Sequence, residues 1–240
     1  MRVIPAIHQF HPSCSVGDGV TKSLFFIRRL LRELGFASDI FCQDIPAELK
    51  SEVLPLASLP RDDGYLLLQH HSLGYRNAAW LDALGAPRVL VYHNITPAHL
   101  LPEGELRELS HLGRRQLVDW APACVGAIGV SDYNSEELRG AGFRQIATLP
   151  MLVDLHEVRQ QGWHRPSVEQ LCSRLNILFV GRINENKRQH ELIEVFEEFL
   201  HFTDQPARLI LAGGITSDGY LQRLRAMVRE RDAEDRILLA

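Results

Sequence analysis

Residues 176–200 read NILFVGRINENKRQHELIEVFEEFL, and this stretch decides how the chain is organised. Ile177-Leu178-Phe179-Val180 is an apolar run with the length and the β-branched and aromatic content of a buried strand. It stops at Gly181-Arg182, and a polar loop carrying Lys187 and Arg188 follows. A helix comes next, with Leu192, Val195, Phe196 and Phe199 spaced three and four apart. Strand, glycine, basic loop and helix form the unit by which α/β proteins present positive charge at the carboxyl end of a sheet, where such proteins bind ligands. The expected guest is an anion.

The same alternation extends in both directions. Downstream lie a strand at Arg208–Ala212, a helix from about Tyr220 to Arg231 and a strand at Arg236–Leu239. Upstream, a first strand is expected at Val3–Ile7, followed by the loop HQFHPSCSVGDG. Val20, Leu24, Ile27, Leu31 and Leu34 then recur at helical spacing up to a stop at Gly35. Strands follow at Ile40-Phe41, Tyr65–Gln69, Arg88–Tyr92, Val125–Val130 and Ile146–Leu149. Helical composition fills Arg76–Leu84 and Pro102–Trp120, and Ser131-Asp132 signals the N-cap of another helix. Ile45–Pro60 reads as loop with a short helix. From Asp154 to Arg174 the alternation lapses. The expectation is an α/β protein of two Rossmann-like lobes with parallel sheets: residues 1–155, a linker at 156–173, and residues 174–240 as the start of a second, incomplete lobe.

Composition narrows the function classes. With 240 residues and a formal net charge of −4, the chain lacks the basic excess of a dedicated nucleic-acid binder. Its four cysteines are scattered without a C-x-x-C pair, which fits reduced thiols in the cytoplasm better than a disulfide framework or a zinc site. The amino terminus is too short and too little apolar for a signal peptide, and no window approaches the ~18 apolar residues of a membrane span. A soluble cytoplasmic protein is expected.

Three groups of residues could carry chemistry. Gly17-Asp18-Gly19, between the first strand and first helix, would let backbone N–H groups approach an anion. It is neither a dinucleotide fingerprint, which needs glycine where Lys22 stands, nor a P-loop, which needs glycine where Thr21 stands. His93 ends the strand RVLVY and is placed to hydrogen-bond a substrate; His70 and His71 end the preceding strand, so the two ends are expected to share a mouth. No H-E-x-x-H or comparable metal-ligand spacing occurs, and no metal is expected. Arg182, a planar fork, and Lys187, a mobile point charge, could together neutralise a diphosphate. Arg28, Arg29 and Arg32 on the first helix offer a weak peripheral contact with an anionic membrane surface.

At these residues the chain resembles the family 4 glycosyltransferases, retaining enzymes of the GT-B fold. ILFVGRINENKRQHELIEVFEEF is similar to that family's VGR-x4-K-G donor segment, and ARLILAGGITSDGYLQRLRAMVRERDAEDRILLA to the strand, Gly-rich turn, helix and strand that follow it. GDGVTKSLFFIRRLLRELG resembles the glycine-rich loop and first helix, VYHNITP the place of the active-site histidine, and GVSDYNSEELRGAGF the segment near the cleft. Two local departures stand out. Lys187-Arg188 replaces lysine-glycine, and Pro150-Met151-Leu152-Val153-Asp154 replaces P-N-G-V-D. The E-x7-E segment that holds the donor sugar and ribose in the family is expected downstream of Ala240, so the second lobe is expected to be truncated.

The resemblance implies a metal-independent, cofactor-free transferase that moves a hexose from a nucleotide-diphosphate sugar to a glycan or lipid-linked acceptor, with retention, in bacterial-type surface polysaccharide assembly. It implies His93, Arg182 and Lys187 as catalytic residues, and Gly17, Gly19, Gly181, Arg182, Lys187 and Gly213 as donor-binding ones. The place implied is the cytoplasm, including the inner face of the membrane. The alternative is a non-catalytic module that keeps the lobe architecture without the chemistry.

Overall fold

The computed structural model describes residues 5–160, 162, 169 and 171–240, and its contacts divide the chain between Val158 and Arg159 into two units. In the first unit, strands β1 (Ala6–Ser13), β2 (Ile40–Asp44), β3 (Leu54–Pro55), β4 (Tyr65–His71), β5 (Arg88–Tyr92), β6 (Gly126–Gly129) and β7 (Ile146–Thr148) form one parallel sheet in the order β3-β2-β1-β4-β5-β6-β7. Helix α1 (Gly19–Glu33) lies between β1 and β2, α2 (Glu105–Trp120) between β5 and β6, and α3 (Asp132–Gly140) between β6 and β7. Phe10, Leu67, Leu90 and Tyr92 pack with Leu117 and Trp120 of α2 and Leu138 of α3 in the larger core. Leu24 of α1 packs with Cys14, Ile40, Cys42 and Val53 in a smaller one.

The first strand lies further along the chain than the sequence suggests. Met1–Ile4 fall outside the described residues, and β1 runs through the segment read as a loop. His8, Gln9 and His11 look like loop residues in sequence, yet β1 is central and buries them. Each has a partner. The Asp39 amide donates to His8 Nδ1 at 3.1 Å, Gln9 Nε2 donates to the Leu24 carbonyl at 3.0 Å, and His11 Nε2 lies 3.0 Å from Ser72 Oγ. Buried polar groups are tolerated where they are hydrogen-bonded. The end of α1 matches its sequence signal: Gly35 has φ +89°, its amide donates to the Arg32 carbonyl and the Phe36 amide to Leu31, the pairing of a glycine-terminated helix. Of the helical segment expected at 76–84, only a single 3₁₀ turn forms, at Ala78–Leu81.

The short helix α4 (Leu155–Gln160) opens the segment read as a linker, the rest of which falls largely outside the described residues. In the second unit β8 (Leu175–Val180), β9 (Ala207–Ala212) and β10 (Ile237–Leu239) form a parallel sheet in the order β10-β9-β8, with α5 (Gln189–Leu200) and α6 (Asp218–Glu230) packed on it. The β8 run is buried on one side only. Ile177 and Phe179 face the core, whereas Leu178 and Val180 are 60% and 73% exposed. The helix α5 is likewise rotated from the sequence reading. Ile193 and Phe196 are fully buried, Leu192 and Phe199 lie at the margin of the core, and Val195 points outward.

Helix α2 approaches the loop after β4 so closely that both contact residues are glycine. A Cβ on Gly74 would lie 2.3 Å from the Leu109 carbonyl oxygen, and one on Gly113 would lie 2.7 Å from Gly74 N. The close approach is fixed by hydrogen bonds from Gly74 N to Leu109 O (3.0 Å) and from Gln116 Nε2 to Tyr75 O (2.6 Å). Gly74→Ala should therefore cost about 1–3 kcal/mol in urea denaturation, as overpacking against a backbone does. Gly140→Ala, whose Cβ would meet nothing within 4 Å, should leave stability unchanged or slightly raised.

Candidate functional site

In the first sheet β1 is flanked by β2 on one side and β4 on the other, so the strand order reverses between β1 and β4. Open α/β sheets bind ligands outside the carboxyl ends of the strands at such a point. Four histidines gather there: His11 on β1, His70 and His71 at the end of β4, and His93 just after β5. His70 Nδ1 and His93 Nε2 are 2.8 Å apart, with the two rings stacked at a centroid distance of 5.1 Å and an interplanar angle of 20°. His71 Nε2–H donates to the Gly113 carbonyl at 2.9 Å, and its ring lies edge-on to Trp120. His11 also bonds the Ser13 carbonyl through Nδ1. The far nitrogens of the stacked pair, His70 Nε2 and His93 Nδ1, are buried without a hydrogen-bond partner among the described residues.

The turn that presents His93 is held from three sides. Asn94 takes φ +70°, a left-handed conformation that asparagine tolerates. Tyr92 Oη accepts from the Ile95 amide at 3.2 Å and donates to Glu137 at 2.9 Å, while Arg114 bridges Glu137 and the Ile95 carbonyl. The His93 amide itself donates to the His71 carbonyl. Desolvation is the main force on these imidazoles. It pushes His71 and His93 down to about 4, His70 well below its ordinary value and His11 down as well, with neighbouring imidazoles adding to the shift in His70 and His93. At neutral pH the cluster is uncharged.

Gly17 and Gly19 lie at the amino end of α1, at the same edge of the sheet. Gly17 has φ +81°, which a side chain would strain. Asp18 caps the helix: its Oδ2 accepts from the Thr21 amide at 3.0 Å. The first-turn amides of Gly19 and Val20 bond to no described residue. Met151, one of the local departures, folds over this turn, and a Cβ on Gly19 would lie 3.3 Å from its Cε. Met151 and His93 also border an apolar cavity of about 230 Å³ between α1 and the sheet, with Ile27, Leu31, Val91 and Ile128.

In the second unit Gly181 and Gly213 bring two strand ends into contact. Gly213 has φ +152°, and a Cβ on it would lie 2.1 Å from the Gly181 carbonyl oxygen. Beyond them Arg182 and Lys187 are exposed at the carboxyl end of β8, and neither has a carboxylate within ion-pair distance among the described residues. The Arg182 carbonyl is tied to buried Gln189 Nε2 at 2.8 Å, and Asn184 Nδ2 reaches Thr216 Oγ1 at 3.0 Å. Arg188, the other departure, takes φ +53°, a conformation that favours glycine, and pairs with Glu191. The first-helix arginines are paired too: Arg28 with Glu52, Arg29 with Asp154 and Arg32 with Asp39. They present compensated charge.

Gly17, Gly19 and His93 thus lie together in the first unit, and Gly181, Arg182, Lys187 and Gly213 in the second. The His70–His93 bond went unread in the sequence, although both residues end neighbouring strands; His11 was hidden by the loop reading of β1. Among the described residues no group of three histidine, cysteine or acidic side chains could hold a metal ion. No helix among them is long and apolar enough to cross a membrane.

No protein-family model matches the chain, and no curated protein sequence does. Solved structures do. HepE of Anabaena, in complex with UDP and glucose, superposes with a TM-score of 0.66 at 16% identity, over 98% of this chain and 70% of that one. A glycosyltransferase from Rickettsia africae gives 0.67 at 14% identity, over 98% and 67%. Sucrose-phosphate synthase from Thermosynechococcus elongatus gives 0.62 at 15% identity, over 98% and 70%. The fold is therefore that of the GT-B glycosyltransferases: two Rossmann-like parallel sheets, with seven and three strands among the described residues.

Two outcomes test this geometry. The buried imidazoles are harder to protonate folded than unfolded, so below about pH 6.5 the unfolded chain takes up protons that the folded chain refuses. Stability should then fall as pH drops from about 6.5 towards 4, with His71 alone contributing a loss approaching about 3 kcal/mol at the lower end. Urea denaturation across that range should register the loss, and His71→Gln should reduce it. Arg188→Gly should stabilise the second unit by up to about 1 kcal/mol, because left-handed backbone costs a side chain about that much; thermal melting reads the difference.

Proposed function

We propose that the chain takes part in glycosyl transfer from a nucleotide-diphosphate sugar to a glycan or lipid-linked acceptor. The reading assigns it to the retaining enzymes of family 4, acting in the cytoplasm or at the inner face of the membrane in surface polysaccharide assembly. The observation that carries it is the pair Arg182 and Lys187, exposed and unpaired with carboxylates among the described residues, beyond the carboxyl end of a parallel strand. Solved structures of this fold with UDP bound lend support.

The roles follow from the chemistry of the groups. Arg182 offers a planar fork to two phosphate oxygens and Lys187 a point charge, and together they supply countercharge as the diphosphate departs. A neutral His93 donates or accepts one hydrogen bond at the transferred sugar without repelling positive charge that develops at the anomeric carbon. Gly17 and Gly19 leave room for a phosphate near the first turn of α1, while the Asp18 carboxylate limits how much anionic charge that turn accepts. The leaving phosphate oxygen takes the acceptor's proton, so no protein base is needed. Cationic side chains stand in for a divalent metal.

Calorimetry with UDP and a panel of nucleotide sugars tests the reading. Arg182→Ala should weaken UDP binding at least tenfold and lower turnover about 10²–10³-fold, the usual cost of losing one preorganised donor. EDTA should change neither. Unaltered UDP affinity and turnover in Arg182→Ala would remove the assignment.

A further inference from the structure

His70 is buried at the carboxyl edge of the first sheet, 1% exposed, and the proposed reaction gives it no task. Its register explains its position. His70 lies opposite Val91 on β5, and His93 follows two residues later, so both side chains leave the same face of the sheet at neighbouring strand ends. The 2.8 Å contact joins His70 Nδ1 to His93 Nε2. Near-parallel stacking of the rings leaves each imidazole little freedom to turn without breaking that bond.

One hydrogen bond between two neutral imidazoles has a definite consequence. Each ring carries one proton, and the inner bond uses one of the two. If His70 Nδ1 donates, His93 must hold its own proton on Nδ1; if His93 Nε2 donates, its Nδ1 is bare. Either way His93 Nε2 is engaged inside the protein. Nδ1 is the nitrogen left over, and it is buried without a partner among the described residues, beside the apolar cavity under α1. A buried imidazole nitrogen without a partner is costly, and a ligand group reaching it would recover that cost.

We propose that His70 is a positioning residue: it engages Nε2 of a neutral His93 and holds the ring in one plane, so that Nδ1 is the nitrogen left for the transferred sugar. The part concerning the sugar rests on the glycosyl-transfer reading; the engaged Nε2 and the held ring do not. The charged and titratable groups around His93 are His70 and His71 from β4, His11 from β1 and Asp18 from the loop before α1, with only Asp18 favouring protonation. The pair therefore stays neutral through the range in which an isolated histidine titrates.

Long-range proton–nitrogen correlation spectra of the full ¹⁵N-labelled chain test this. Wild-type His93 should show the nitrogen shifts of a neutral ring, unchanged from about pH 6 to pH 8, and a nitrogen–nitrogen coupling across the bond between its Nε2 and His70 Nδ1. In His70→Phe the coupling is lost and the Nε2 shift should move more than the Nδ1 shift. His70→Asn, whose amide can stand in for Nδ1 as donor or acceptor, should return Nε2 towards its wild-type shift. His71, bonded to Gly113, reports in the same spectra whether each variant is folded. No coupling in the wild type, or an unmoved Nε2 in folded His70→Phe, would overturn the proposal. UDP-glucose should shift His93 Nδ1 more than Nε2, and the reverse pattern would also overturn it. If nucleotide sugars fail to bind while Nε2 stays engaged, the glycosyl-transfer reading fails and the positioning of His93 by His70 stands.

Discussion

A central strand that buries polar side chains must find each of them a partner, and the first unit is built around that constraint. In β1 the partners are specific: His8 receives the Asp39 amide, Gln9 reaches the Leu24 carbonyl in α1, and His11 meets Ser72 beyond β4. These bonds tie α1 and both neighbouring strands to the same few residues. They also bring a histidine to the mouth where the strand order reverses. Desolvation then sets the chemistry, because imidazoles packed this closely among one another remain neutral.

The two units carry different kinds of group. Histidines and apolar walls line the first unit's mouth, with Asp18 as a capping carboxylate. The second unit offers Arg182 and Lys187 on a loop whose base is fixed by Gln189, Asn184 and the contact of Gly181 with Gly213.

Much of the fold was legible because alternation of apolar runs with helical periodicity survives in the sequence. The glycine at position 35, the serine cap of α3 and the strand–glycine–basic loop at residues 177–188 each carry a local signal strong enough to read alone. What stayed hidden depends on partners far along the chain. β1 looked like a loop because the bonds that license His8, Gln9 and His11 come from Asp39, Leu24 and Ser72. Val195 looked like core because spacing fixes the period of a helix but leaves its phase to packing. At the candidate site, His93, Arg182 and Lys187 stood out by type and position, whereas the partnership of His70 with His93 needed strand register. Arg188 and Met151 stood out as departures, and packing gives each a physical meaning: one holds a left-handed turn, the other covers Gly19.

The half-buried character of β8 says what kind of surface it carries. Ile177 and Phe179 face the core, while Leu178 and Val180 stand on the other face, uncovered by the described residues. Parallel sheets are ordinarily covered on both faces. The strip that bears Leu178 and Val180 therefore has the chemistry of a packing surface rather than of a wetted one.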